Sequence, residues 1–371
     1  MFPSKMLQNH SLQPTRSTTR TLLTTVVTAA TLGTNNASII TVEVESELSK
    51  SIFLVVYVVV AVIGLMGNLI TCYVIIRNRH LRKAVHWYTL NMALADLLVI
   101  LFYVPVEVIK NENNMTWTMG ELFCRFNYCV IPTSLVASIY TLVAITIDRH
   151  RGVTKPLRWR SDTASIVKIS VPVIWLVAIV LSMPLMFVVV AHQFPPGSGV
   201  YYCYERWETL QSERVYWTTI FFVQVLIPMC ITISLSLHMF KVLKQYRLRD
   251  KGYHKKIMRM TITLVGVYTI CSSPQHIFFF WHSFGNLTRM KLGLQKSLFK
   301  ASNLLLILQM ALNPVIYGTL GDLKSPFRMI FHRVKYRAVH GFKRKRSQES
   351  ISNRDVIAES DFLNNGNALH T

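Results

Sequence analysis

Seven apolar stretches, at residues 52–76, 87–106, 126–147, 169–191, 215–240, 260–281 and 301–320, constrain this chain more than any other feature. Each reaches the length of about 20 residues that a helix needs to cross roughly 30 Å of hydrocarbon. Lipid offers no water to backbone N–H and C=O groups, so stretches of this length must close their hydrogen bonds internally, as helices. The expected fold is an all-α membrane protein, a seven-helix bundle over residues 51–320. With 51% of its 371 residues hydrophobic and 16% charged, the chain is too apolar for an ordinary soluble domain. Within the seven stretches Asp96 is the only Asp, Glu, Lys or Arg, and a lone acid at membrane depth marks a functional position.

Short loops rich in Lys and Arg stay on the cytoplasmic side of a membrane. Of the 40 basic residues, 28 fall on one face: Arg77 to Lys83, Arg149 to Lys168, Lys241 to Arg259, and all from Lys324 onward. An odd number of crossings then leaves the N-terminus outside and the C-terminus in the cytoplasm of a plasma-membrane protein. Four Asn-x-Ser/Thr sequons, at Asn9, Asn36, Asn114 and Asn286, all lie on the face read as extracellular, where glycosylation takes place. The net charge of +22 does not indicate nucleic acid as a partner. These bases flank hydrophobic stretches and read as topology signals and contacts to the anionic lipid of the bilayer.

Residues 1–50 are rich in Thr, Ser and Asn, lack periodicity, and are expected to form a disordered, glycosylated extracellular segment; Thr21 to Leu32 is only faintly like a signal peptide. Residues 321–335 place Phe327, Met329, Ile330 and Phe331 among bases, the pattern of an amphipathic helix in the membrane surface. No Cys follows Cys271, which excludes a palmitoyl anchor on that helix. Residues 336–371 read as a disordered cytoplasmic tail, where Ser347, Ser350, Ser352 and Ser360 are either phosphorylation sites or merely solvated. Of the six cysteines, Cys72, Cys129, Cys230 and Cys271 sit inside the apolar stretches as small packing residues. Cys124 and Cys203 are the two on the oxidising side, and a disulfide between them is expected to contribute about 2–4 kcal/mol and pin the long loop around Cys203 over the bundle mouth.

Seven motifs recur in register. Gly67-Asn68 lies in the first stretch, Asn91-Met-Ala-Leu-Ala-Asp96 in the second, and Asp148-Arg149-His150 closes the third. Trp175 lies in the fourth, Pro228 in the fifth, Cys271-Ser-Ser-Pro274 in the sixth and Asn313-Pro314-Val-Ile-Tyr317 in the seventh. Over residues 50–335 this order and spacing resembles the rhodopsin-like, G-protein-coupled receptor family. The resemblance implies a receptor and not an enzyme, transmitting ligand binding to heterotrimeric G proteins by helix rearrangement, with arrestin and receptor kinases as further partners. It implies a switch in which Asp148 holds Arg149 until a partner competes, with Asn313, Pro314 and Tyr317 as the moving part of the seventh span. The alternative for Asp148 and Arg149 is ordinary boundary charge that snorkels to water.

The resemblance also implies a sodium ion at Asp96, with Asn68, Ser138 and Asn313 around it. The alternative is a plain hydrogen-bond network, because Gln309 and Met310 replace the smaller polar residues usual there. Pro228, Pro274 and Pro314 remove backbone donors and leave deformable points, or simple bends, in their helices. Four departures from the family pattern stand out: Ser272 where Trp is usual, Tyr268 for Phe, Ser236 for Tyr, and His150 for Tyr. An aromatic trigger in the sixth span is therefore not expected.

Three absences narrow the ligand. Ile131 stands where an amine receptor has a carboxylate, Ile307 where an opsin has its Lys, and no Cys precedes Cys72 as it does in chemokine-type receptors. The remaining outer residues, Glu107, Tyr128, Phe279, His282, Phe299 and Asn303, with His276 deeper and Ile131 below, form aromatic walls with a few polar groups, suited to a peptide end. A packed helix face is the bland reading of each. Trp117 to Cys124 and Thr141 to Asp148 resemble receptors for orexin, neuropeptide FF, neuropeptide Y and galanin, implying an extracellular neuropeptide, amidated by that analogy. A lipid or other small non-peptide ligand on the same fold is the alternative.

Overall fold

The computed structural model describes residues 47–78, 84–113, 116–154, 156–194, 196–245, 251–284 and 292–320, together with Leu323 and Phe327. The four sequons, most of the segment 321–335 and the tail beyond it lie outside the described residues.

Seven long helices form where seven were expected. They are α1 (Glu47–Arg77), α2 (Ala84–Glu112), α3 (Glu121–Thr154), α4 (Pro156–Ser182, with a further turn Pro184–Val188), α5 (Leu210–Gln245), α6 (Lys251–Phe284) and α7 (Leu292–Leu320). Most run several residues past the apolar stretch at one or both ends, since the helix continues through the headgroup region. Among the described residues six of them carry an apolar stretch of membrane-crossing length; α6 is long enough but is diluted by Ser272, Ser273, Gln275 and His276. These four are buried or half-buried, so the dilution comes from groups that face the bundle and not lipid.

The packing is inside-out relative to a soluble protein. Ile52, Val55, Val59, Val62 and Met66 of α1 and Ile169, Val173, Leu176 and Val180 of α4 are exposed, while Asn68, Asn91, Asp96, Ser138 and Asn313 are buried. In hydrocarbon there is no hydrophobic drive to hide Val or Ile, and the interior is where polar groups find partners. α3 is the central post: it is buried over 78% of its apolar stretch, against 22% for α1 and 17% for α4, and it packs on α2, α4, α5 and α6. α7 packs against α1 and α6 and closes the ring.

The fourth stretch differs from its expected helix at one end. Val189–Gln193 is strand β1, paired antiparallel with β2 (Tyr201–Glu205) in the register Val189↔Glu205 and Ala191↔Cys203. Apolar β-branched residues beyond Pro184 carry no helix-specific signal, and the connection turns through Gly197 and Gly199 at φ 82° and 73°, a region glycine enters freely. Cys203 is bonded to Cys124 of α3, with Cα atoms 5.9 Å apart, so the hairpin is tethered to one end of the bundle. Trp117 N–H donates to Tyr201 O at 2.7 Å and ties it to the segment before α3. Residues 322–371 form a separate unit, in which Phe327 N–H donates to Leu323 O at 3.0 Å, one helical turn.

Candidate functional site

At the disulfide end, helix spacing and strand alternation bring aromatic rings and a few charges together. Glu107, Lys110 and Asn111 lie on one side of α2, since residues three and four apart are neighbours on a helix. A recess between α1, α2 and α7 is lined by Tyr57, Glu107, Asn111, Phe299, Lys300 and Asn303, among others. Asn303 is fixed there by Gln275 of α6, whose Nε2 donates to Asn303 Oδ1 at 3.2 Å. Beside the recess, Trp217 of α5 stacks on Phe279 of α6 with ring centres 4.7 Å apart and planes within 3°, and Phe279 meets Phe299 of α7 edge-on at 6.2 Å. One aromatic run thus spans three helices.

The expected outer residues divide. Glu107, Phe299 and Asn303 share the recess, and Phe279 joins them through Phe299. Tyr128 instead donates its hydroxyl to Cys203 O at 3.2 Å, holding the hairpin down. Ile131 is 3% exposed in a core cluster with Tyr57, Tyr103, Leu135 and Ile307, and His276 is buried in α6. The His282 side chain lies outside the described residues.

Two charged groups escaped the sequence reading. Lys110, buried, sets its ammonium 5.5 Å from the Trp117 ring centre and 5.6 Å from that of Tyr128, a cation between two π faces. Its spacing of three from Glu107 was the available signal. Glu205 is buried on β2, where its Oε2 accepts from Trp207 Nε1 at 2.9 Å and Trp217 Nε1 at 3.2 Å. Burial pushes the Glu205 carboxyl up to about 7; the Trp207 bond opposes this and the Glu213 charge adds to it. The signal here was its position two residues from Cys203, on the same face of a strand.

In the middle of the bundle Asp96 is satisfied as an acceptor. Asn313 Nδ2 donates to its Oδ2 at 2.8 Å and Ser138 Oγ to its Oδ1 at 3.3 Å, joining α2, α3 and α7. Asn68 does not complete this set: its Nδ2 donates to Gly64 O and Met310 O at 3.0 and 3.1 Å, tying α1 to α7, while its buried Oδ1 has no hydrogen bond. One carboxylate, the Ser138 hydroxyl and that amide oxygen are hard oxygen donors of the kind a small cation takes; Asn313 turns a nitrogen toward Asp96 and competes with such an ion. A second chain, Trp175 Nε1 to Asn91 Oδ1 at 2.8 Å and Asn91 Nδ2 to Thr141 Oγ1 at 2.7 Å, links α4, α2 and α3.

The departures from the family pattern find partners. Ser272 Oγ donates to Gln309 Oε1, so the residue replacing an aromatic and the residue replacing a smaller polar group clamp α6 to α7 together. α5 contains a π-turn at Phe222–Leu226, where Ile227 N–H reaches back to Phe222 O. Such a turn disturbs the i→i−4 ladder. Tyr268 OH donates to Gln224 O at 3.2 Å and Tyr140 OH to Val223 O at 2.9 Å, so both hydroxyls serve carbonyls of that turn.

At the opposite end Asp148 and Arg149 are both buried at the close of α3, with Arg149 Nε lacking a hydrogen bond. Burial of a guanidinium favours the switch reading over a snorkelling boundary charge, which would reach water. His150 and His238 bridge α3 and α5 through ring nitrogens 2.7 Å apart. Tyr317 donates to Met92 Sδ at 2.9 Å and so rests on α2 in this conformation.

Known proteins agree with this geometry. Over 324 residues the chain is 24% identical to mouse (Mus musculus) neuropeptide FF receptor 2, covering 80% of this chain and 77% of that one. It is 26% identical to human (Homo sapiens) galanin receptor type 1 over 75% of this chain and 81% of the relative. It is 28% identical to Xenopus laevis neuropeptide Y receptor type 1 over 71% and 76%. The family model described as 7 transmembrane receptor (rhodopsin family) matches residues 67–317, more than half of the chain and the whole path from Gly67 to Tyr317. With seven helices, the tethered hairpin and the Asp96 latch in place, the chain belongs to the rhodopsin family of seven-transmembrane receptors.

Proposed function

We propose that this protein is a plasma-membrane receptor for an extracellular neuropeptide and that it signals through heterotrimeric G proteins. The observation that carries the reading is the disulfide-end recess, where Glu107, Phe299 and Asn303 meet beside the Trp217–Phe279 stack under a tethered hairpin. A cationic, aromatic peptide end matches such a wall in charge and shape. The relatives named as neuropeptide FF, galanin and neuropeptide Y receptors support the same ligand class. In this reading the disulfide end is extracellular, as the basic loops and sequons suggest, and the Arg149 end is cytoplasmic.

Mechanism follows from the connections. A ligand that moves Phe279 or Phe299 acts on α6 and α7, which the Ser272–Gln309 clamp holds together. Movement of α7 about Pro314 strains the Asn313–Asp96 bond and the Tyr317–Met92 contact, and frees the Arg149 end to receive a G protein. A sodium ion on Asp96, Ser138 and the Asn68 amide oxygen would hold the resting arrangement. Receptor kinases and arrestin would act on the tail around Ser347 and Ser350.

Lys300 in the recess wall favours a second reading, a receptor for an anionic lipid or other small non-peptide ligand. Cells expressing the chain, screened with amidated neuropeptides and with lipids while calcium and cAMP are read, decide between the two. A response to peptides that disappears in Arg149→Ala supports the proposal; responses to lipids alone select the second reading.

A further inference from the structure

Glu205 joins three parts of the lid. β2 alternates faces, so Glu205 follows Cys203 to the bundle side, where the disulfide to Cys124 fixes the strand. Both indoles that reach Glu205 share one oxygen: Trp207, on the loop after β2, and Trp217, on α5. Trp217 lies flat against Phe279 of α6. Among the described residues, the charged group that acts on Glu205 from the facing α5 is Glu213, itself buried, and the other titratable side chain there is Tyr216. The neighbouring Arg214 is turned elsewhere, with its Nε on Ser283 O at 3.1 Å and its guanidinium 5.5 Å from the Phe284 ring centre. Two buried acids therefore face each other across the hairpin and α5 with indole N–H groups on one of them.

We propose that Glu205 is a proton-binding site in the lid and a positioning residue for Trp217: ionised, it holds the indole in line with Phe279, and protonated, it loosens that hold. A hydrogen bond to an ionised acceptor is about twice as strong as one to a neutral group, so removing the charge weakens both indole bonds at once. Burial sets the titration at about 7, within the range that extracellular fluid covers. A carboxyl raised in the fold above its ordinary value disfavours the ionised form, so stability falls as pH rises through about 7 and returns on acidification. Protons are thereby a second effector of the aromatic run that lines the ligand recess. The proposal rests on the reading of this end as the ligand side, but the titration that tests it needs no ligand, so the two fail separately.

The full chain in lipid nanodiscs, titrated from pH 5.5 to 8.5 and followed by tryptophan emission, shows one transition with its midpoint near 7. The thermal midpoint of the wild type is higher at pH 6 than at pH 8. Glu205→Gln removes the transition and gives the same thermal midpoint at both pH values. Trp217→Phe keeps the transition, reported by Trp207, and moves its midpoint upward, because one donor to the ionised carboxylate is gone. A transition that persists in Glu205→Gln, or wild-type spectra that superimpose across the range, overturns the proposal. Should Glu205→Gln fail to fold, an unmoved midpoint in Trp217→Phe overturns it instead.

Discussion

Gly67→Ala tests how tightly α1 is drawn onto α7. A Cβ built at Gly67 falls 2.9 Å from both Cβ and Cγ of Pro314, where two carbons rest at about 3.5–4.0 Å. Neither neighbour is the free end of a flexible side chain; the pyrrolidine ring is closed on its own backbone. The helices must therefore part by roughly half an ångström or more, at the level where Asn68 bonds Met310 O and Asn313 bonds Asp96. Overpacking of this kind costs about 1–3 kcal/mol. For a bundle of this size that corresponds to a fall of roughly 2–12 °C in the thermal midpoint. Gly266→Ala is the control: its Cβ meets nothing within 4 Å, so the helix-propensity gain of up to about 1 kcal/mol should leave the midpoint unchanged or raised. Purified receptor in detergent, unfolded with a thiol-reactive fluorophore that reports free cysteines such as Cys271, measures both. Equal midpoints for Gly67→Ala and wild type would refute the close approach.

Asp96→Ala strands the Asn313 and Ser138 donors and should cost about 1–3 kcal/mol, read in the same unfolding assay; a change below the error of the assay removes the latch. Arg149→Ala should abolish G-protein activation while surface expression and peptide affinity persist, and an intact response to the peptide excludes the switch. Glu107→Lys should weaken a peptide carrying a cationic end by about 2–5 kcal/mol in a binding assay, and unaltered affinity shows that the recess uses another anchor. Unreduced digests of surface receptor should yield Cys124 and Cys203 peptides linked to each other, and recovery of both as free thiols contradicts the tethered hairpin.

The helices were legible because lipid leaves a spanning segment few structural choices, and Asp96 stood out because a lone acid at that depth needs partners. Two of its three expected neighbours, Ser138 and Asn313, are bonded to it, and the third, Asn68, serves the α1–α7 seam. Ser272 and Gln309 were each visible as departures, but their pairing depends on the relative rotation of α6 and α7, which a linear pattern does not carry. The hairpin was hidden because Val189 to Ala191 continue an apolar run, and a strand of five residues has too little alternation to declare itself. Lys110 and Glu205 were passed over for a related reason: charged residues at the rim of a bundle read as solvated until burial among indole and phenol rings is seen.

The π-turn in α5 has a consequence best put as angular phase. Buried positions along this helix include Tyr216, Ile220, Gln224, Pro228, Thr232 and Ser236, one every four residues. An α-helix turns about 100° per residue, so each step of four overshoots a full circle by roughly 40°, and five steps would carry the buried stripe about 200° around the axis. The residue absorbed at Phe222–Leu226 takes back about 100° of that drift, which keeps Thr232 and Ser236 toward the bundle and Ile233 and Leu237 toward lipid. The two halves of α5 thus run on separate frames. A one-residue deletion within the turn would swing the whole segment from Pro228 to Gln245 by about a quarter circle, and an alignment with a relative that lacks the turn must open its gap there.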